Sequence, residues 1–567
     1  MILTRITELR KLFDQYQVSG YIIPSNDEYM SEYTPECFNR LKYITGFTGS
    51  NGIAIICKNT ALLFTDGRYL EQSKRQLDLN IFQIFDLIEL KNFLHDGILG
   101  YDPKLFTTTK LKSLPPSISK LSPNLVDLIW FDRSAKPSSL VYIHKQEFAG
   151  ESHNNKITKC RDILIKHYAE MLIITAPDSI CWLLNIRAAD ILFAPLMLSR
   201  AVLTKDKLYL FIDPSRISIE ILTKRPEIIV LPEEQFENIL LINNGKILVD
   251  ENQASSFIMD LLKDKIIEKV TDPCQLFKAC KNEVEIRHAV NSHINDAVAL
   301  CEFFSYLSSL TNIQDFSEYD LGIKLTEFRS QQHDYVSDSF STICGFQENG
   351  AVIHYKAEKD NSKKIVGSGL LLIDSGGQYK GCTTDVTRVI TIGAPTDEQK
   401  KRYTQVLKGH IALASIKFPN DVVTGANLDV LARQFLWQDN IDYLHGTGHG
   451  VGSFLSVHEG PQNISLRSNV ILKEGMILSN EPGYYKAGEF GIRIENLMYI
   501  KRNESNDNYL EFSTLTLVPY EKALIDYNQL NTNEINYITQ YNQKINQLVY
   551  PLLSEAAKKW LLNITAS

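Results

Sequence analysis

The chain has 567 residues, 44% hydrophobic and 22% charged, an ordinary globular composition at a length too great for one hydrophobic core. A formal net charge of −8, with no dense Lys/Arg run, argues against nucleic acid or an anionic membrane as the main partner. Nine scattered cysteines without a C-x-x-C pair read as reduced thiols in a cytoplasmic protein, and no apolar run is long enough to span a bilayer.

Residues 1–149 open on an amphipathic helical pattern, MILTRITELRKLFDQYQ, whose charges interrupt any signal-peptide core. SGYIIPSNDEY follows as a strand ending at a Pro turn. GIAIICKNTALLFTDGRY then reads as two strands joined by the polar turn Lys58-Asn59-Thr60. Residues 150–279 repeat the scheme, with a helix from Asn155 to Ala169, the segment EMLIITAPDSICWLLNIR and a hairpin in AVLTKDKLYLFID. The recurrence predicts two copies of one α/β domain.

Residues 280–567 have a different texture. Ile286, Val290, Ile294, Ala297, Cys301, Phe304 and Leu307 step by three or four, the apolar face of one long helix. Ser317-x-x-Asp320 and Thr396-x-x-Gln399 read as capping boxes that open further helices. Leu428, Leu431, Ala432, Phe435 and Leu436 mark another helix, and a helix-rich tail runs from near Leu530 to Trp560. Two carboxylate-bearing strand pairs lie between these helices. Helices, hairpin, helices, hairpin is a half-repeat, which would set the two hairpins face to face about a pseudo-twofold axis.

The chemistry is concentrated in those hairpins. GLLLIDSGGQYKGCTTDVTRVITIG carries Asp374 and Asp385, and GMILSNEPGYYKAGEFGIRIENLMYI carries Glu481 and Glu495. Each has an apolar run, an acid, a Gly-containing turn with Tyr-Lys, and a second acid on the return strand. Side chains on paired strands come within about 5 Å, so each hairpin offers two oxygen donors to one place. His449 lies between them in HGTGHGVG. Four carboxylates and one imidazole can neutralise two divalent cations, and a thiolate-free set suits Mn²⁺, Co²⁺ or Zn²⁺. A single Asp in such a turn would read as a surface charge; five matched positions point to hydrolytic metal chemistry.

The neighbouring residues are less decided. His445 and His449 have helical i,i+4 spacing, but Gly446, Gly448, Gly450 and Gly452 favour a strand or an extended loop where backbone approaches a ligand. His354, in AVIHYKA, fits a core histidine as well as a hydrogen-bond donor to substrate. Arg493 shares a strand face with Glu495 and fits either a surface ion pair or a partner that orients the ligand carboxylates.

IDSGGQYKGCTTDVTR, LHGTGHGVGSFLSVHEGP, NEPGYY and GIRIEN resemble the pita-bread metallopeptidases, the group of methionine aminopeptidase, prolidase, creatinase and aminopeptidase P. NDEYMSEYTPECFNRLKYITGFTGSNG, LLFTDGRY, DSICWLLNIR, HINDAVALCEF, NGAVIHYKA, VLKGHIALA and LTLVPYEKALIDYNQL are similar to one branch, the three-domain cytosolic X-Pro aminopeptidases, in the same order over nearly the whole chain. The resemblance implies creatinase-type domains at 1–149 and 150–279 and a pita-bread catalytic domain at 280–567, with a helical extension from about 520.

It also implies roles. Asp374 would bind one metal ion, Asp385 and Glu495 would bridge two, and His449 and Glu481 would complete the ligands of the other ion. Glu481 would accept the proton of the attacking hydroxide. His354 and His458 would contact substrate and stabilise the tetrahedral intermediate. His445, Tyr485 and Arg493 would border a proline pocket, and Arg68 of the first block would contact substrate. The expected enzyme is a homodimer with two ions per subunit, Mn²⁺ first, acting on peptides whose second residue is proline. The alternatives are a prolidase restricted to Xaa-Pro dipeptides and a non-catalytic peptide-binding module, whose mark would be missing ligands.

Overall fold

The computed structural model describes residues 1–566. The chain forms two compact units, Met1–His144 with Glu151–Gln275, and Lys145–Gly150 with Leu276–Ser567. Among the described residues, no helix is long and apolar enough to cross a membrane.

The first unit contains two six-stranded sheets. The first is built from β1 (Gly20–Pro24), β2 (Gly52–Cys57), β3 (Ala61–Thr65), β4 (Phe82–Asp86), β5 (Leu99–Tyr101) and β6 (Ile118–Lys120), in the order β4-β3-β2-β1-β5-β6. Its central strands β1, β2 and β3 are apolar on both faces because both faces are covered. Tyr21, Ile23, Ala54 and Ile56 enter one core, and Ile22, Ile55 and Cys57 enter another, as the two-residue period of a strand requires. The second sheet comprises β7 (Met171–Ile174), β8 (Arg200–Thr204), β9 (Leu208–Phe211), β10 (Ile228–Leu231), β11 (Ile247–Val249) and β12 (Ile267–Lys269). Its order is β10-β9-β8-β7-β11-β12, the first sheet's order moved on by one repeat. The senses agree as well: β1–β2 and β2–β3 are antiparallel with β1–β5, β3–β4 and β5–β6 parallel, and each counterpart pair matches. The two α/β copies expected from sequence are present.

The second unit alternates helix pairs with hairpins. Helix α1 (Glu283–Ser309) is capped by Asn282 with Glu285, and α2 (Glu318–Ser330) by the expected Ser317–Asp320 box. A three-stranded sheet of β13 (Ile343–Phe346), β14 (Gly369–Ser375) and β15 (Val386–Ile392) follows. Helix α3 (Asp397–Ala414) starts at the Thr396–Gln399 box and is followed by α4 (Gly425–Trp437). Then come β16 (Lys417–Pro419, between α3 and α4), β17 (Gly448–Gly450), β18 (Glu459–Ile464), β19 (Ile477–Asn480), β20 (Gly483–Lys486), β21 (Phe490–Arg493), β22 (Asn496–Asn503) and β23 (Asn506–Thr514). Six of these form a sheet in the order β16-β23-β22-β19-β17-β18, while β20 and β21 pair separately. The chain closes with α5 (Thr532–Leu548) and α6 (Glu555–Thr565). Cys301, Phe304 and Leu307 of α1 share the main core with Leu371 and Val389 of the first hairpin and Ile538 and Ile545 of α5. Leu428 and Ala432 of α4 pack with Leu478 and Met498 of the second hairpin in a smaller core.

Candidate metal centre

Both hairpins end at the same place. Asp374 pairs in register with Thr387 across β14–β15, and Asp385 sits one residue before β15 begins. In the second hairpin the last pair is Asn480 with Asn496, so Glu481 and Glu495 occupy the next positions, just beyond the ladder. The second acid of each pair therefore precedes the return strand instead of lying in it. The turns between the acids fold further, into Gly377–Tyr379 with Cys382–Thr383 in the first and β20–β21 in the second.

His449 comes from β17, which runs beside β19 through the pairing of Gly450 with Leu478. The expected extended conformation is thus observed, but the glycines serve strand packing. A Cβ on Gly448 would lie 2.0 Å from the Ser479 carbonyl oxygen, which leaves no room for any side chain.

The side chains converge. Single oxygens of Asp374, Asp385 and Glu495 all lie within 4.8 Å of one another. The same holds for donors of His449, Glu481 and Glu495, and of Asp385, His449 and His458. His449 Nε2 is 3.4 Å from both Asp385 Oδ2 and Glu481 Oε1, while its Nδ1 faces the Gly450 carbonyl at 2.9 Å. The rings of His449 and His458 meet edge to face, 4.4 Å between centroids.

Arg493 links this cluster to the expected pocket residues. Its Nη2 donates to Asp374 Oδ2 at 2.5 Å, its Nη1 to the Tyr485 hydroxyl at 2.9 Å, and its Nε to Thr387 Oγ1 at 3.1 Å. Tyr485 OH lies 2.8 Å from His445 Nε2. The Thr387 hydroxyl donates to Glu495 Oε2 at 2.7 Å, and Ser479 Oγ to Glu481 Oε1 at 3.0 Å. Sequence reasoning missed Thr387 and Ser479. Ser479 offered a signal, standing two residues before Glu481, whereas Thr387 offered none, because its partner Glu495 is 108 residues away.

Charge and burial conflict here. Burial and neighbouring acids push Asp374 up to about 6, against the pull of Arg493. Glu481 is raised by burial, and Glu495 is raised well above the carboxylate range by burial and by Asp385, Glu481 and Asp374. Burial opposes protonation of His449, but its hydrogen bond to Asp385 and the charge of Glu481 outweigh it and lift the imidazole to about 9. Asp374 Oδ1 and Asp385 Oδ1 are buried without a hydrogen-bond partner. Orphaned carboxylate oxygens beside crowded acids fit divalent cations, which would both satisfy the lone pairs and cancel the repulsion. The oxygen-rich donor set with imidazole and no thiolate fits the same ions.

His354, half-buried, follows the short helical turn Gln347–Ala351, and Gly350 of that turn packs against Gly491 of β21. A Cβ on Gly491 would sit 1.8 Å from the Gly350 carbonyl oxygen, so the strand bearing Arg493 admits the turn only with glycine there. Arg68 lies in the first unit, on the turn after β3, with Nε and Nη2 on the two oxygens of Asp66 at 2.9 and 2.8 Å.

Family models agree with this architecture. Residues 286–502 match metallopeptidase family M24, and 508–567 match the C-terminal region of peptidase M24. Residues 5–128 and 132–285 each match a creatinase/prolidase N-terminal domain. The chain belongs to metallopeptidase family M24, with two creatinase-type domains ahead of a pita-bread domain. Among its relatives is Xaa-Pro aminopeptidase 1 of Dictyostelium discoideum, 36% identical over 99% of this chain and 95% of that one. A crystal structure of an X-prolyl aminopeptidase from Caenorhabditis elegans, described as a cytosolic enzyme with a di-nuclear active site, superposes with a TM-score of 0.93 at 30% identity. It covers 100% of this chain and 99% of that one.

Proposed function

We propose that this protein is an Xaa-Pro aminopeptidase, releasing the amino-terminal residue from peptides whose second residue is proline. The observation that carries the reading is the convergence of Asp374, Asp385, His449, Glu481 and Glu495, with orphaned oxygens on both aspartates. Full-length similarity to Xaa-Pro aminopeptidases favours it over the prolidase alternative. The complete donor set counts against a non-catalytic binding module.

Two divalent ions held by these five residues, Mn²⁺ first among them, would supply Lewis acidity and water activation near neutral pH. The protein's own groups do the rest. Glu481 takes the proton of the attacking water, positioned for this by the Ser479 hydroxyl. His458, against the His449 ring, and His354 donate to the substrate carbonyl oxygen as it gains negative charge. His445, Tyr485 and Arg493 form a hydrogen-bonded wall beside Asp374 for the proline ring. Arg68 is a further substrate contact, on the strength of the DGR resemblance. An Xaa-Pro bond has no N–H and a φ fixed near −65°, so recognition must rest on ring shape and on the carbonyl, not on the scissile amide hydrogen.

The working enzyme is a cytoplasmic homodimer, with domain boundaries near 149 and 279. The test is a substrate panel with metal analysis. Turnover on Xaa-Pro-Xaa tripeptides, and little when the second residue is Ala, is expected. Activity confined to Xaa-Pro dipeptides would move the reading to prolidase.

A further inference from the structure

Arg388 follows Thr387 in β15 and is 2% exposed. A buried cation is tolerated only when its donors are satisfied, and here every partner is uncharged. Nη1 donates to the carbonyl oxygens of Thr387 at 2.8 Å and Glu495 at 2.7 Å. Nη2 donates to Asn496 Oδ1 and the Val518 carbonyl, both at 2.7 Å, and to the Tyr541 hydroxyl at 3.1 Å. Nε donates to the Pro519 carbonyl at 3.1 Å and, more weakly, to Val518 at 3.3 Å. The guanidinium also lies 5.0 Å from the centroid of the Tyr520 ring. Tyr541 of α5 locks the same strap: its hydroxyl shares one proton between the carbonyls of Thr516 at 3.0 Å and Val518 at 2.9 Å and accepts from the Val518 N–H at 3.2 Å.

Glu495 is therefore held twice. Thr387 fixes its carboxylate, and Arg388, the next residue, fixes its main chain. The second hold is anchored in the segment after β23 and in α5, which contribute no candidate ligand. We infer that Arg388 is a positioning residue for the metal centre, through which the C-terminal segment sets the place of Glu495. This rests on the proposed ligand role of Glu495. The effect is one of geometry: a lysine keeps the charge but cannot reproduce a planar fork reaching both strands and the strap.

The experiment uses the full-length chain, stripped with chelator and titrated with Mn²⁺ by calorimetry, beside Tm and steady-state kinetics. Arg388→Lys is expected to weaken Mn²⁺ binding by about 10–100-fold, the usual range for groups that orient ligands, and to lower kcat more than it changes KM. Tyr541→Phe is expected to shift Mn²⁺ affinity in the same direction by less. Ile545→Val, one turn further along α5 in the core, is the control: it lowers Tm and leaves Mn²⁺ affinity unchanged. Wild-type affinity in Arg388→Lys, or a loss matched by Ile545→Val at equal Tm, overturns the inference. If Arg388→Lys does not fold, Tyr541→Phe decides, and unchanged affinity there overturns it. A wild-type chain that binds no divalent ion would fail the metal reading itself, a distinguishable result.

Discussion

The two hairpins carry matching pairs of acids and treat them differently. In β14–β15, Asp374 and Asp385 each keep one buried oxygen with no partner. In β19–β22, Glu481 is held by Ser479 and Glu495 by Thr387, and the turn between them brings Tyr485 and Arg493 to the cluster. The first hairpin leaves one oxygen of each acid unpaired and lends Thr387 to Glu495, while the second supplies Ser479 and the buried positive charge that faces Asp374. Asp374 lies within its ladder and Glu481 just beyond its own, so the two hairpins bring their acids to one place from different registers.

The contrast makes loss of Asp385 the most damaging change. Asp385→Ala should abolish turnover and lower bound metal if Asp385 holds the bridging position proposed for it; normal turnover with two ions by elemental analysis would refute that role. His354→Ala should keep both ions while kcat falls about 10²–10³-fold, the scale of a lost oxyanion donor. If metal is lost instead, His354 belongs among the ligands and the asymmetry between hairpins must be redrawn.

Arg493→Met tests the supporting side. It should retain metal but lose about 10–100-fold in kcat/KM, as Asp374 and Tyr485 lose their common partner. An unchanged kcat/KM would reduce Arg493 to a passive counter-charge.

The smallest effect concerns acid stability. His410 of α3 hydrogen-bonds the carbonyl of Asn480, next to Glu481, at 3.1 Å, and burial followed by the charge of Arg388 pushes it down to about 3. The unfolded chain takes up a proton near 6.5 that the native state refuses. The contribution is thus complete above about pH 6.5 and is lost as pH falls towards about 3, by at most about 1.4 kcal/mol per pH unit. His410→Gln should flatten the slope of Tm against pH over that window. Parallel slopes would show that the second hairpin does not lean on this imidazole.

Much of this was legible in the chain. The apolar stripe from Ile286 to Leu307 became α1, the boxes at Ser317 and Thr396 became helix starts, and five matched acid and imidazole positions came together. The supporting shell was not legible, because its members reach across the sequence. Thr387 meets Glu495, and Arg388 meets Val518 and Tyr541; a strand's two-residue period says which face a side chain occupies and nothing about which distant segment will lie there. The positions of Asp385 and Glu495, one residue short of their strands, were missed because ladder ends are set by pairing partners and not by local pattern.

The twin sheets of the first unit bear on how the chain is made. In each, the earliest strand is central, and the last strand to be synthesised completes the far edge. Neither sheet can close until its sixth strand, ending at Lys120 or Lys269, has left the ribosome. The β2–β3 and β8–β9 hairpins have the most local partners; β1 and β7 pair on one edge with β2 and β8, while the other edge awaits β5 and β11 further along the chain. With two sheets of one topology emerging in turn, completion of the first before the second appears would limit pairing of strands across copies.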